Sequence, residues 1–117
     1  MDAEKNATIN GLVHDSAFFA GKAEQLVRDN RTVHALLEDL ELIVVDPPRE
    51  GLHSNVIQFL IEYRQKKKIT LLYISCNPVT FARDVELLSA GGWIMQAMQP
   101  VDMFPQTYHV EMIGVLK

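Results

Sequence analysis

The chain has 117 residues, 48% of them apolar, and a formal net charge of −4. That length sets one domain as the expectation, and the acidic balance argues against a stand-alone nucleic-acid binder, which would be basic. No apolar stretch reaches the roughly 18 residues that suggest a membrane span, the polar start Met1-Asp2-Ala3-Glu4-Lys5-Asn6 does not read as a secretory signal, and a single cysteine excludes an internal disulfide and fits a reducing cytoplasm.

The charge is unevenly spread. Residues 1–41 hold eight acids and four bases, whereas residues 42–117 hold seven of each. A partner rich in phosphate would therefore draw most of its affinity from elsewhere.

In chain order, residues 2–10 are expected to form a short helix ended by Gly11. The apolar run Ala17–Ala20 reads as a strand, and a weaker helix follows from Lys22 to Arg28. Leu42–Val45 and Ile69–Ile74 are continuous apolar runs that suit strands buried on both faces. Between them, Val56, Phe59, Leu60 and Tyr63 fall on one face of a helix, with Ser54 as its N-cap. Phe81, Val85 and Leu88 mark a further helix, capped by Thr80 and ended by Gly91-Gly92. Trp93–Ala97 and Val110–Leu116 read as strands with no helix pattern between them, hence an antiparallel pair. The alternation predicts an α/β fold with a mainly parallel sheet.

Three motifs carry chemistry. Asp46-Pro47-Pro48-Arg49-Glu50-Gly51 directly follows a strand. In open parallel sheets the carboxyl ends of strands line the ligand crevice, and two prolines stiffen the segment that holds Asp46 there. A Pro-rich turn without further role reads equally well from these residues alone. Tyr73-Ile74-Ser75-Cys76-Asn77-Pro78 sets a thiol at the end of the next strand. A free thiol is only a few per cent ionised near neutrality, and a helix N-terminus favours the thiolate. Taken singly, Cys76 reads as a small buried hydrophobe; its place between a strand and a helix start shifts it toward function. Val101-Asp102-Met103-Phe104-Pro105-Gln106-Thr107-Tyr108-His109-Val110-Glu111 leads into the last strand. Partial burial would suit Glu111 to proton abstraction.

Together these motifs resemble the S-adenosylmethionine-dependent RNA uracil-C5 methyltransferases, which make 5-methyluridine in transfer and ribosomal RNA. The family pattern Asp-Pro-Pro-Arg-x-Gly stands at Asp46–Gly51. Ser-Cys-Asn-Pro-x-Thr-x-Ala-Arg-Asp stands at Ser75–Asp84, and Asp-Met-Phe-Pro-x-Thr-x-His-x-Glu at Asp102–Glu111. Upstream, Asn6–Gly11 and Gly21-Lys22-Ala23-Glu24 also look like family stretches.

The resemblance implies a covalent mechanism. Cys76 is the nucleophile that adds to C6 of uracil, Glu111 the base that removes the C5 proton, and Asp46 a contact to the uracil edge. Pro47, Asn77 and Arg83 orient the loops around them. Asp46 and Lys22 would contact S-adenosylmethionine, and a target base in structured RNA would have to be flipped out. The implied fold is a partial class I (Rossmann-like) methyltransferase sheet of order 3-2-1-4-5-7-6. Residues 1–117 would be the C-terminal portion of the catalytic domain, holding strands 3 to 7 without strands 1 and 2. The RNA-binding barrel, the central domain and the Gly-rich cofactor loop are not in it. An exposed sheet edge, self-association and weak cofactor binding by this chain alone are therefore expected.

Other readings remain. The chain could be a non-catalytic fragment or a split-enzyme subunit that needs a partner. A thiol hydrolase would need Cys76 and His109 within hydrogen-bond reach, and leaves Asp46–Gly51 and Glu111 unexplained. An α/β interaction module would make the motifs coincidence. One cysteine and four scattered histidines show no zinc-ligand spacing.

Overall fold

The computed structural model describes residues 2–29, 31–37 and 40–117. Its elements are helices α1 (Asp2–Ile9), α2 (Ala23–Asp29), α3 (Arg31–Leu36), α4 (Ser54–Lys66) and α5 (Pro78–Ala90), with strands β1 (Leu42–Val45), β2 (Thr70–Ser75), β3 (Met95–Val101) and β4 (Glu111–Leu116). No helix among the described residues is long and apolar enough to cross a membrane.

α1 ends as its sequence suggests. Gly11 takes φ 71°, the Gly11 N–H reaches the Thr8 carbonyl, and the Leu12 N–H reaches that of Ala7. This paired closure satisfies carbonyls the helix leaves open. α4 buries Val56, Ile57 and Leu60, and Arg64 and Lys66 sit in its last turn, where cations suit the helix dipole. Its N-cap is His53 rather than Ser54: the ring accepts from the Asn55 N–H, and Ser54 is already helical. α5 is capped by Asn77 rather than Thr80, with Pro78 in its first turn, where a missing N–H costs nothing.

The strands form one sheet of order β1-β2-β4-β3. β1 and β2 are parallel, with Val45 beside Tyr73. β2–β4 and β3–β4 are antiparallel, the first with Ser75 beside Met112. The sheet is therefore mixed, not mainly parallel: β4 inserts between β2 and β3. The expected antiparallel final pair is present, although β3 begins at Met95 and runs on to Val101. As an edge strand it tolerates Pro100.

Two further expectations fail. Ala17–Ala20 forms no strand; it has no ladder partner among the described residues, and Phe18 and Phe19 are each more than a third exposed. β1 and β2 are not buried on both faces. Leu71, Tyr73 and Ser75 alternate with half-buried neighbours, and Leu42 and Val44 are 49% and 53% exposed. The covered face packs on α4 and α5, with Phe81 against Tyr73 at a ring distance of 5.0 Å. Trp93, almost wholly buried, donates its indole N–H to the Leu60 carbonyl of α4 at 3.2 Å. α2 lies against α4, and the Tyr63 hydroxyl donates to the Leu37 carbonyl.

Candidate active site

The three motifs meet at one end of the sheet. Asp46 follows β1, Cys76 follows β2, and Glu111 opens β4, which runs opposite to β2. One step beyond the Ser75–Met112 pair, the register sets Cys76 across from Glu111. On the other side, Asp46 continues β1 beside the end of β2. With strands about 4.8 Å apart, the three residues span about 10 Å of the sheet end. Side-chain alternation along the strands also gives Asp46, Cys76 and Glu111 the same face as Leu42, Val44, Leu72 and Ile74, opposite the α4–α5 layer. Cys76 and Glu111 are half-buried and Asp46 is exposed.

The turn holding Cys76 is fixed by its neighbours. The Ser75 hydroxyl donates to the Asn77 carbonyl and accepts from the Asn77 N–H, both at 3.1 Å. Asn77 Oδ1 accepts from the Val79 N–H at 3.1 Å. Cys76 thus stands immediately before the cap of α5, the helix start expected behind it.

The same helix grips the Asp46–Gly51 loop. Asn77 Nδ2 and Thr80 Oγ1 both donate to the Arg49 carbonyl at 3.0 Å. Arg83 Nη2 donates to the Glu50 carbonyl at 2.9 Å. Asp84, fully buried, accepts from the Leu52 N–H at 2.7 Å and the Tyr73 hydroxyl at 2.6 Å through Oδ2. Its Oδ1 accepts from Arg83 Nε and Nη2 at 2.9 and 2.7 Å. Burial, then the bond to Asp84, pushes the Tyr73 phenol well above its ordinary range, so it stays a hydrogen-bond donor.

The third motif is tied to the first. Arg49 Nη2 lies 3.0 Å from His109 Nδ1. Guanidinium only donates, so Nδ1 accepts and the ring proton sits on Nε2. Among the described residues the His109 ring makes this bond and no hydrogen bond to Cys76.

Beside Asp46 lies a cleft of about 1010 Å³ between β1, α2 and α4, bordered by Glu24, Val44, Val45, Asp46, Pro47 and Leu52 among others. Cys76, Glu111 and Lys22 do not line it. Lys22 is exposed, and its carbonyl accepts from the Gln25 and Leu26 N–H groups at the start of α2. Asp46 thus borders the cleft, while Cys76 and Glu111 stand outside its lining.

The sequence assigned site roles to Cys76, Glu111, Asp46, Pro47, Asn77, Arg83 and Lys22, took Thr80 only as a helix cap, and assigned none to Ser75, Tyr73 or Asp84. A signal for Asp84 existed. It lies three residues after Phe81 and four before Leu88, inside the apolar stripe of α5, where a carboxylate must find partners.

A sequence model of the family described as tRNA (Uracil-5-)-methyltransferase matches residues 16–117. An uncharacterized RNA methyltransferase of Enterococcus faecalis is 43% identical over 98% of this chain and 24% of its own length. One from Caldanaerobacter subterraneus is 41% identical over 99% of this chain and 24% of its own. The crystal structure of Pyrococcus abyssi tRNA (uracil-54, C5)-methyltransferase in complex with S-adenosyl-L-homocysteine superposes with a TM-score of 0.74 at 32% identity, over 98% of this chain and 25% of that one. The chain thus spans about a quarter of the length of the relatives it matches. With its three motifs gathered at one sheet end, the chain belongs to the tRNA (uracil-5-)-methyltransferase family.

Proposed function

We propose that residues 1–117 form the C-terminal portion of a methyltransferase catalytic domain that methylates C5 of uridine in transfer or ribosomal RNA. The observation that carries this reading is the register that sets Glu111 across from Cys76, with Asp46 on the neighbouring strand. The sheet order β1-β2-β4-β3 agrees with strands 4-5-7-6 of a class I methyltransferase.

Cys76 Sγ, as thiolate, bonds to C6 of the uracil. The C5=C6 electron pair moves toward the C4 oxygen, which makes C5 a nucleophile. Asp46 contacts the uracil edge and holds that face. When bound, S-adenosylmethionine would supply the methyl group that C5 takes, its sulfonium departing as the neutral thioether. Glu111 then removes the C5 proton, the C5=C6 bond re-forms, and Sγ leaves as thiolate. This splits one hard substitution into easier steps. The carboxylates of Glu24, Asp46 and Glu50 and the apolar Val44, Val45 and Leu52 around the cleft fit a cationic sulfonium joined to an apolar ring, with Asp46 holding it; Lys22, which the resemblance adds, stands outside that lining.

The test is trapping with RNA carrying 5-fluorouridine, using the full-length parent that carries this chain, because fluorine at C5 cannot leave as a proton. A covalent protein–RNA band is expected with Cys76 present and none with Cys76→Ala. An adduct that persists in Cys76→Ala sinks the assignment.

The free edge of β1 supports self-association. β1 pairs only with β2 among the described residues, and half-exposed Val44 stands on it. Unpaired edges template further pairing, and lysine on an edge blocks it. Sedimentation velocity is expected to show concentration-dependent dimers that Val44→Lys abolishes. A monomer at every concentration would end this reading.

A further inference from the structure

Asp84 is an unusual residue for its place. It occupies the buried stripe of α5 and is fully inaccessible to solvent. A buried carboxylate seldom adds stability over a well-packed apolar side chain, and its retention needs another reason. Its four hydrogen bonds come from three segments: the Leu52 N–H from the loop after β1, the Tyr73 hydroxyl from β2, and two from Arg83 on α5. All its acceptor directions are used.

We propose that Asp84 is a positioning residue that locks the Asp46–Gly51 loop onto the helix following Cys76, so that the two uracil-handling loops behave as one rigid body. The proposal deepens the reading above and rests on its assignment of Cys76 and Asp46.

The contacts on the loop form a continuous series. The Arg49 carbonyl is held by Asn77 and Thr80, the Glu50 carbonyl by Arg83, and the Leu52 N–H by Asp84. The first two turns of α5 thus take up backbone groups of three loop residues. Gly51 sits within this grip at φ +83°, where an added Cβ would fall 2.5 Å from Asp84 Oδ2 and 2.6 Å from Arg83 Nη2. Between the clamp and Asp46 lie Pro47 and Pro48, whose fixed φ angles carry the loop's placement to Asp46. Tyr73 adds a second line, since it lies three residues before Cys76 on β2 and shares Asp84 Oδ2 with Leu52. A displacement of about 1 Å at a reacting pair can cost about 10²-fold in rate, so a device that ties the two loops together has a catalytic consequence.

The test compares Asp84→Asn, which keeps the shape but cannot accept at both positions, with Thr80→Val, which removes one anchor of the Arg49 carbonyl and leaves Asp84 intact. In Asp84→Asn the Leu52 amide is expected to exchange hydrogen about tenfold faster or more, as for loss of a bond to a charged acceptor, while the Leu71 and Tyr73 amides keep their protection. The rate of 5-fluorouridine adduct formation at saturating RNA is expected to fall about tenfold, with the half-saturating RNA concentration unchanged. Unchanged Leu52 protection, or an unchanged adduct rate, overturns the proposal. If Asp84→Asn does not fold, Thr80→Val decides: a lower adduct rate with unchanged RNA affinity supports the clamp, and an unaltered rate overturns it. These rates are read in the full-length parent; if the unsubstituted parent forms no adduct, the functional reading falls, and amide exchange in the two variants still decides whether α5 holds the loop.

Discussion

Replacing Glu111 with Gln is expected to lower turnover by about 10²–10⁴-fold, the usual contribution of a positioned base, and to leave protein and RNA covalently joined on ordinary uridine. Glutamine keeps the size of the side chain but cannot accept the C5 proton. In the proposed mechanism, addition of Cys76 and methylation of C5 would not need that proton removed, whereas re-formation of the C5=C6 bond and departure of Sγ would. The adduct should therefore carry the transferred methyl label, and a denaturing gel of labelled protein would show it. This separates Glu111 from Cys76, since loss of the thiol prevents any adduct. Turnover within a few-fold of the unsubstituted protein would move the base role off Glu111. The half-burial of Glu111 and its place at the first position of β4, next across from Cys76, motivate the assignment.

The motifs were legible because each is local and directly follows or precedes an apolar run. Asp46, Cys76 and Glu111 could be placed at strand ends from the sequence, and β1, β2, α4 and α5 emerge near their expected bounds. What the sequence did not show was long-range. Ala17–Ala20 has the apolar composition of a strand, but a strand exists through its ladder, and the described residues offer it none. The mixed sheet arises because β4 enters between β2 and β3, an order that no local periodicity encodes and that only the family resemblance implied. Caps failed by small shifts: His53 and Asn77 hold the positions expected of Ser54 and Thr80, because a helix boundary moves by one or more residues without changing its apolar face. Thr80 illustrates the consequence. Its hydroxyl reaches out to the Arg49 carbonyl, 31 residues earlier in sequence. Arg83 and Asn77 likewise hold the loop of the first motif, a partner visible only once β1 and β2 lie side by side.

Gly51→Ala is expected to destabilise the fold by about 2–5 kcal/mol, from about 1–2 kcal/mol for left-handed backbone in a residue with a Cβ and about 1–3 kcal/mol for the overpacking that follows. The second contribution is the informative one. The new methyl would meet Asp84 Oδ2 and Arg83 Nη2, so relief requires either the loop to lift from α5 or the Asp84 hydrogen bonds to stretch. Gly92 provides an internal comparison. It also has positive φ, +98°, but a Cβ there meets nothing within 4 Å. Gly92→Ala should therefore show the backbone contribution alone, about 1–2 kcal/mol. Thermal melts of the two variants read the difference directly, because a loss of 1 kcal/mol lowers Tm by about 4 °C or more in a chain of this size. Gly51→Ala should melt well below Gly92→Ala. Equal melting temperatures would mean that the space between the Asp46–Gly51 loop and α5 closes at no cost, and the close contact at Gly51 would then contribute nothing to the rigidity of the site.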